Sequence, residues 1–184
     1  ISKVCKKHGV ILIVDNAHGA YMKFTKSSTH PIDLGADMCC DSAHKTLNVL
    51  TGGAYLHISK NAPVYFSEQA KNVMCIYGST SPSYLILESL DRCNEYLENG
   101  YKNKLNFVIE KADEVKKSLR ECGYLLIGDE KAKITIDTKA YGYYGNDFAK
   151  MLIEKNIIPE FYDSDFIVLM VSSETTKQEL DYLH

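Results

Sequence analysis

The run Val10-Ile11-Leu12-Ile13-Val14, closed by Asp15, limits the possible folds more than any other stretch of this chain. Five apolar side chains in succession leave no polar face. A strand made from them is expected to be buried on both sides, as in a parallel sheet covered by helices. In open α/β sheets ligands bind at the carboxyl ends of the strands, and Asp15 stands at that end. Ahead of the run, residues 1–8 read as a short amphipathic helix with Gly9 as its C-cap. Residues 36–42 and 53–59 (GAYLHIS) read as two further strands entering the same site. Between them, the stretch 41–46 (DSAHKT) is too rich in function-capable groups for a plain turn.

Beyond Ser81-Pro82 the pattern turns helical. Tyr84, Leu85, Leu87, Leu90 and Cys93 fall on one face, and Pro82 suits the first turn. A long helix is expected over about residues 101–122, dense in Lys and Glu at helical spacing and stopped by Gly123. The remainder of the chain reads as a smaller α/β unit: a strand at 133–137 (KITID), the turn 141–145, a helix at 146–155, a buried strand at 166–172 (FIVLMVS) and a last helix over 176–184. The expected class is therefore α/β, with a division near residue 105.

Charge and composition exclude several functions. The net charge is −3 with both signs interspersed, so no basic stripe marks a nucleic-acid surface. The longest apolar run, residues 10–14, is too short to cross a bilayer, and no charged segment leads into an apolar signal core. Cys5, Cys39, Cys40, Cys75, Cys93 and Cys122 form no CxxC pair and read as reduced, small hydrophobes, which points to a cytoplasmic setting.

Two segments carry chemistry, Asp15-Asn-Ala-His18 and Ser42-Ala-His-Lys45, each at the end of an expected strand. A carboxylate or a lysine there is costly unless paired. Pyridoxal phosphate (PLP) satisfies both: its protonated ring nitrogen needs a carboxylate and its aldehyde needs a lysine amine. Ala17 is small enough to lie against the ring, and Ser42 and His44 offer hydrogen bonds to the phosphate. The plain readings stand beside this one. Asp15-Asn16 is a common turn pair, His18 and His44 are ordinary core or surface histidines or metal ligands, and Lys45 alone is a surface lysine. A metal site with Asp15 and Asp41 lacks any zinc-type or helical ligand spacing, so no metal is expected.

IVDNAHGAYMKF (13–24), GAD (35–37), DSAHKTLNVLTGGAYLHI (41–58) and STSPSYLILESLD (79–91) resemble the bacterial-type Orn/Lys/Arg decarboxylases, and KITID, IIPEFYD and FIVLMVS resemble that family's small domain. The resemblance covers essentially the whole chain. It implies the C-terminal part of a fold-type-I, aspartate-aminotransferase-like PLP domain at residues 1–104, followed by the start of a small α/β domain at 105–184. It also implies an internal portion of a longer enzyme, in which the preceding half supplies a phosphate cradle and a ring-stacking aromatic. Lys45 would form the Schiff base and Asp15 pair with the pyridinium. Ala17 and His18 would flank the ring, with Ser42 and His44 at the phosphate or the reacting end, so that Lys45 and His44 are the catalytic pair. Thr80 would reach the phosphate of a neighbouring subunit's cofactor, which implies a homodimer or larger oligomer. The implied reaction is decarboxylation of arginine, lysine or ornithine. A transaminase, a lyase, a desulfurase or an inert scaffold are the alternatives. Glu160 or Asp163 would recognise a distal amine or guanidinium, though loop carboxylates on a solvated surface are the favoured reading.

Overall fold

The structure is a computed structural model and describes residues 1–183; His184, the end of the expected last helix, lies outside the described residues. The chain separates into two compact units, Ile1–Lys102 and a second that begins at Asn103.

The first unit opens with α1, Ser2–Lys7. Gly9, at φ +65°, closes it: its N–H donates to the Lys6 carbonyl and the Val10 N–H to the Cys5 carbonyl, both bonds that need a left-handed residue. Three strands follow, β1 (Ile13–Asp15), β2 (Met38–Asp41) and β3 (Tyr55–Ile58), in the order β1-β2-β3. β1 runs parallel to β2 and β3 antiparallel to it. The expectation that residues 10–14 are buried on both faces is not met. Ile13 is 62% exposed, on the same sheet face as the exposed Asp15 and Cys40, and β1 is an edge strand with β2 as its one partner. β2 alternates, with Cys39 and Asp41 buried on one face and Cys40 exposed on the other.

The stretch after β2 is one helical turn, α2 (Ala43–Thr46), entered through Ser42. A helix that the periodicity did not reveal, α3 (Val64–Tyr77), buries none of its residues. In α4 (Tyr84–Tyr96) the N-cap is Ser83, so Pro82 precedes the helix instead of occupying its first turn. Its expected apolar face is only half used: Cys93 is buried, but Tyr84, Leu85 and Leu87 are exposed. The C-terminal half is the part anchored to the strand layer, where the Tyr55 hydroxyl donates to the Leu90 carbonyl and the Leu50 N–H to Ser89 Oγ.

The second unit is led by α5 (Lys102–Glu121), capped at Gly123 (φ +95°) by the same pair of bonds as α1: Gly123 N–H to Arg120 and Tyr124 N–H to Leu119. Its sheet is antiparallel, in the order β4 (Leu125–Ile127), β5 (Lys133–Asp137), β7 (Phe166–Met170), β6 (Phe161–Tyr162). β4 and β6 are short strands that the sequence did not betray. The FIVLM run, expected as a buried strand, alternates in β7, sending Ile167 and Leu169 inward. These meet Ile134 and Ile136 of β5, Val115 of α5 and Ala149 of α6 (Gly145–Glu154) in one core. α6 starts where a Cβ on Gly145 would overlap the Asp163 carbonyl and press on that of Phe166. The last helix, α7 (Lys177–Tyr182), is opened by a capping box between Thr176 and Glu179.

Candidate functional site

The parallel pairing of β1 with β2 sets Asp15 opposite Cys40, so both chemistry-bearing segments leave the sheet at the same end. Lys45 Nζ lies 3.4 Å from His18 Nε2, which joins the turn after β1 to α2. Asp15 Oδ1 accepts the Ala17 N–H at 3.1 Å. Among the described residues neither Asp15 nor Lys45 forms an ion pair, and both are exposed. A carboxylate and an ammonium at one sheet end, each without an opposite charge, are chemically suited to a ligand that offers the complement of both.

His44 is more constrained than its neighbours. Its Nδ1 lies 3.0 Å from the Gly53 carbonyl, so Nδ1 carries the proton and donates it. The neutral ring therefore presents an acceptor at Nε2, and only the imidazolium can donate there. The expectation that His44 donates to a phosphate needs the charged ring. Ser42 is half-buried, and its side chain makes no capping bond to α2. Thr80 sits on the exposed connection between α3 and α4 and makes no hydrogen bond to the other six candidates among the described residues. Glu160 is exposed. Asp163 is committed locally: its Oδ1 accepts the N–H groups of Asp165 and Phe166, which holds its carboxyl below the usual range.

On the opposite face of the sheet lies a group that the sequence did not single out. Asp41 Oδ2 is 3.0 Å from His30 Nε2 and 3.0 Å from His57 Nε2, while Oδ1 accepts from Asn16 Nδ2 at 2.7 Å. Burial pushes the Asp41 carboxyl up, but the hydrogen bonds from His30, His57 and Asn16 outweigh it and hold the group well below the ordinary carboxylate range. The neighbouring Cys39 thiol is pushed up to about 12, by burial first and by Asp41 next, so it stays protonated. A cavity of about 460 Å³ adjoins the cluster, lined by Phe24, Ile32, Leu47, Tyr55 and Leu97 among others. None of the seven residues singled out from the sequence lines it. His30 and Asp41 lie eleven residues apart and His57 belongs to another strand, so only the β2–β3 register reveals the group. All six cysteines are free; Cys39 and Cys93 are buried hydrophobes, but Cys40, Cys75 and Cys122 are exposed, contrary to the expected packing role. Among the described residues no helix is long and apolar enough to cross a membrane.

Residues 1–136 match the sequence model described as Orn/Lys/Arg decarboxylase, major domain. An uncharacterized protein, YaaO, of Bacillus subtilis (strain 168) is 29% identical across 89% of this chain and 36% of its own length. An arginine decarboxylase of Halalkalibacterium halodurans is 27% identical across the whole chain and 40% of its own length. The chain thus spans about two fifths of the curated relatives it matches. Among solved structures, the lysine decarboxylase LdcF of Francisella novicida superposes with a TM-score of 0.69 at 22% identity, over 94% of this chain and 31% of that one. A cysteine desulfurase of Thermococcus onnurineus NA1 superposes at 0.77 with 15% identity, over 99% of this chain and 53% of that one. At these identities both show the shared mixed α/β fold alone. Two different chemistries on one fold mean that the activity must be argued from the site.

Proposed function

The chain belongs to the Orn/Lys/Arg decarboxylase family, and from that premise we propose that it carries the lysine-bearing side of a PLP site in an enzyme that decarboxylates a basic amino acid. The observation that carries this reading is the common sheet end: unpaired Asp15 and unpaired Lys45, with His18 3.4 Å from the amine. Residues 1–104 serve as part of the PLP-binding domain and the rest as the start of a small domain.

In this reading Lys45 holds the cofactor through its amine and Asp15 keeps the proton on the ring nitrogen. PLP supplies an electron-withdrawing ring that takes up the electron pair left when a carboxylate departs. Ala17 leaves room for a flat ring. Ser42 and a charged His44 donate to the phosphate, with Nδ1 of His44 already fixed by Gly53. His18 Nε2 stands where it can take or return a proton at Lys45 Nζ. Thr80 serves the site of a second copy. The exposed Val64, Tyr65, Ile76 and Tyr77 of α3 favour such an assembly, since large apolar side chains exposed together are normally covered.

The test is to incubate the full natural polypeptide with PLP and with arginine, lysine or ornithine, and to measure carbon dioxide and amine. Release of both from one of the three is expected. A keto acid without carbon dioxide would sink the proposal.

A further inference from the structure

We propose that Asp41 is a positioning residue, which through Asn16 fixes the turn that presents Asp15, with His30 and His57 holding Asp41 from the other side. This deepens the PLP reading and rests on it for its meaning.

Successive side chains leave a strand on opposite faces. Asp15 pairs with Cys40, on the exposed face, whereas Cys39 and Asp41 occupy the buried one. Asn16, the next residue, therefore turns to the Asp41 side. There its amide donates to Asp41 Oδ1 at 2.7 Å, while its backbone N–H donates to the Cys40 carbonyl at 2.9 Å. Side chain and main chain of one residue are thus both tied to the end of β2. The turn closes over this anchor: the Gly19 N–H donates to the Asn16 carbonyl at 2.8 Å, and a Cβ on Gly19 would overlap the Asn16 amide. With Asn16 pinned on one face, Asp15 must point from the other. The same strand end continues through Ser42 into α2, so Asp41 stands one residue from the element that carries Lys45.

A cation between the two histidines and Asp41 fits less well, although the donor atoms lie within 4.8 Å of one another. His30 Nδ1 is buried without a partner. Donation from Nε2 to Asp41 leaves a bare lone pair there, whereas a metal at Nε2 would leave an unmet N–H, and metal-bound histidines normally donate that proton.

The experiment compares Asn16→Ala, Asn16→Asp and the swap Asn16→Asp with Asp41→Asn in the full natural polypeptide. Two quantities are read: hydrogen exchange at the Asn16, Ala17 and Gly19 amides, and the PLP dissociation constant from the imine band near about 420 nm. Losing one hydrogen bond to a charged acceptor sets the scale, so each single variant should speed exchange and weaken PLP binding about tenfold or more. The swap restores an amide–carboxylate bond with its direction reversed and should recover most of both losses. Unchanged exchange in Asn16→Ala, faster exchange with unchanged PLP affinity, or a swap no better than Asn16→Asp would each overturn the proposal. A wild-type polypeptide that gains no band with PLP overturns the cofactor reading instead, and exchange in the swap still decides whether the clamp exists.

Discussion

Asp41→Ala removes the acceptor of three hydrogen bonds at once, from Asn16 at 2.7 Å and from His30 and His57 at 3.0 Å each. The three donors do not suffer equally. The His57 side chain is 40% exposed, so water replaces the carboxylate there. The His30 side chain is 4% exposed and its Nδ1 is already unmet, so the variant leaves its Nε2 only the Cys39 sulfur, 3.8 Å away, a weak partner. Leaving a buried donor without its acceptor costs about 1–3 kcal/mol. Two donors, the half-buried Asn16 and the buried His30, lose a charged acceptor while water rescues His57, so the expected loss is about 2–3 kcal/mol at neutral pH. Urea unfolding of wild type and variant measures it, provided the m-value is unchanged. The pH dependence supplies a second check. The folded carboxyl is held well below its ordinary range, because the donated hydrogen bonds outweigh the opposing effect of burial. Its stabilisation is therefore complete above the unfolded value of about 3.9 and is lost as pH falls through the folded one. The part of the wild-type advantage that comes from the Asp41 carboxylate should shrink as pH falls below about 4. A loss under about 1 kcal/mol at pH 7, the scale of an ordinary net hydrogen bond, would show that Asp41 is not the buried acceptor of this cluster.

Lys45→Ala should abolish the absorbance band near about 420 nm that PLP gives with the wild-type polypeptide, leaving the spectrum of free PLP. Gly145→Ala should destabilise the second unit by about 1–3 kcal/mol, since its methyl would overlap the Asp163 carbonyl; the denaturation midpoint reports it. Thr176→Ala removes the side chain that accepts the Glu179 N–H at 3.2 Å and should cost about 1 kcal/mol, seen as faster amide exchange in α7.

Where the sequence was legible, local physics decided the outcome. Gly9 and Gly123 each close a helix through the same two backbone bonds, and each was readable as a stop because only a left-handed residue makes them. β5 was recovered at its observed limits because KITID alternates and packs on one face. The misses share a cause. An apolar run states that a strand tolerates burial but not what lies over it, so residues 10–14 were assigned two covered faces and the FIVLM stretch was read as buried. In the structure, β1 has a single neighbour and β7 has one inward face. α3 escaped because none of its residues is fully buried and its apolar residues are spread around the helix, which left no dominant face to detect.

The site divides along the same line. Asp15 and Lys45 stood out because a charge after an apolar strand is costly wherever the strand lies. Asp41 follows a strand too, yet its role depends on partners that no local pattern announces. His57 reaches it as a diagonal neighbour across β2 and β3, where Cys39 faces His57 and Asp41 faces Tyr55. His30 arrives from the loop before β2, and Asn16 from the turn after β1. Asn16 had looked like the bland half of a turn dipeptide. The alternation that turns Asp15 to one face also turns Asn16 to the other, and Asp41 is there to receive it. A polar residue directly after a strand-end carboxylate is therefore informative in its own right. If it finds a buried acceptor, the carboxylate before it is aimed by the sheet, and a ligand meets a group whose orientation is already fixed.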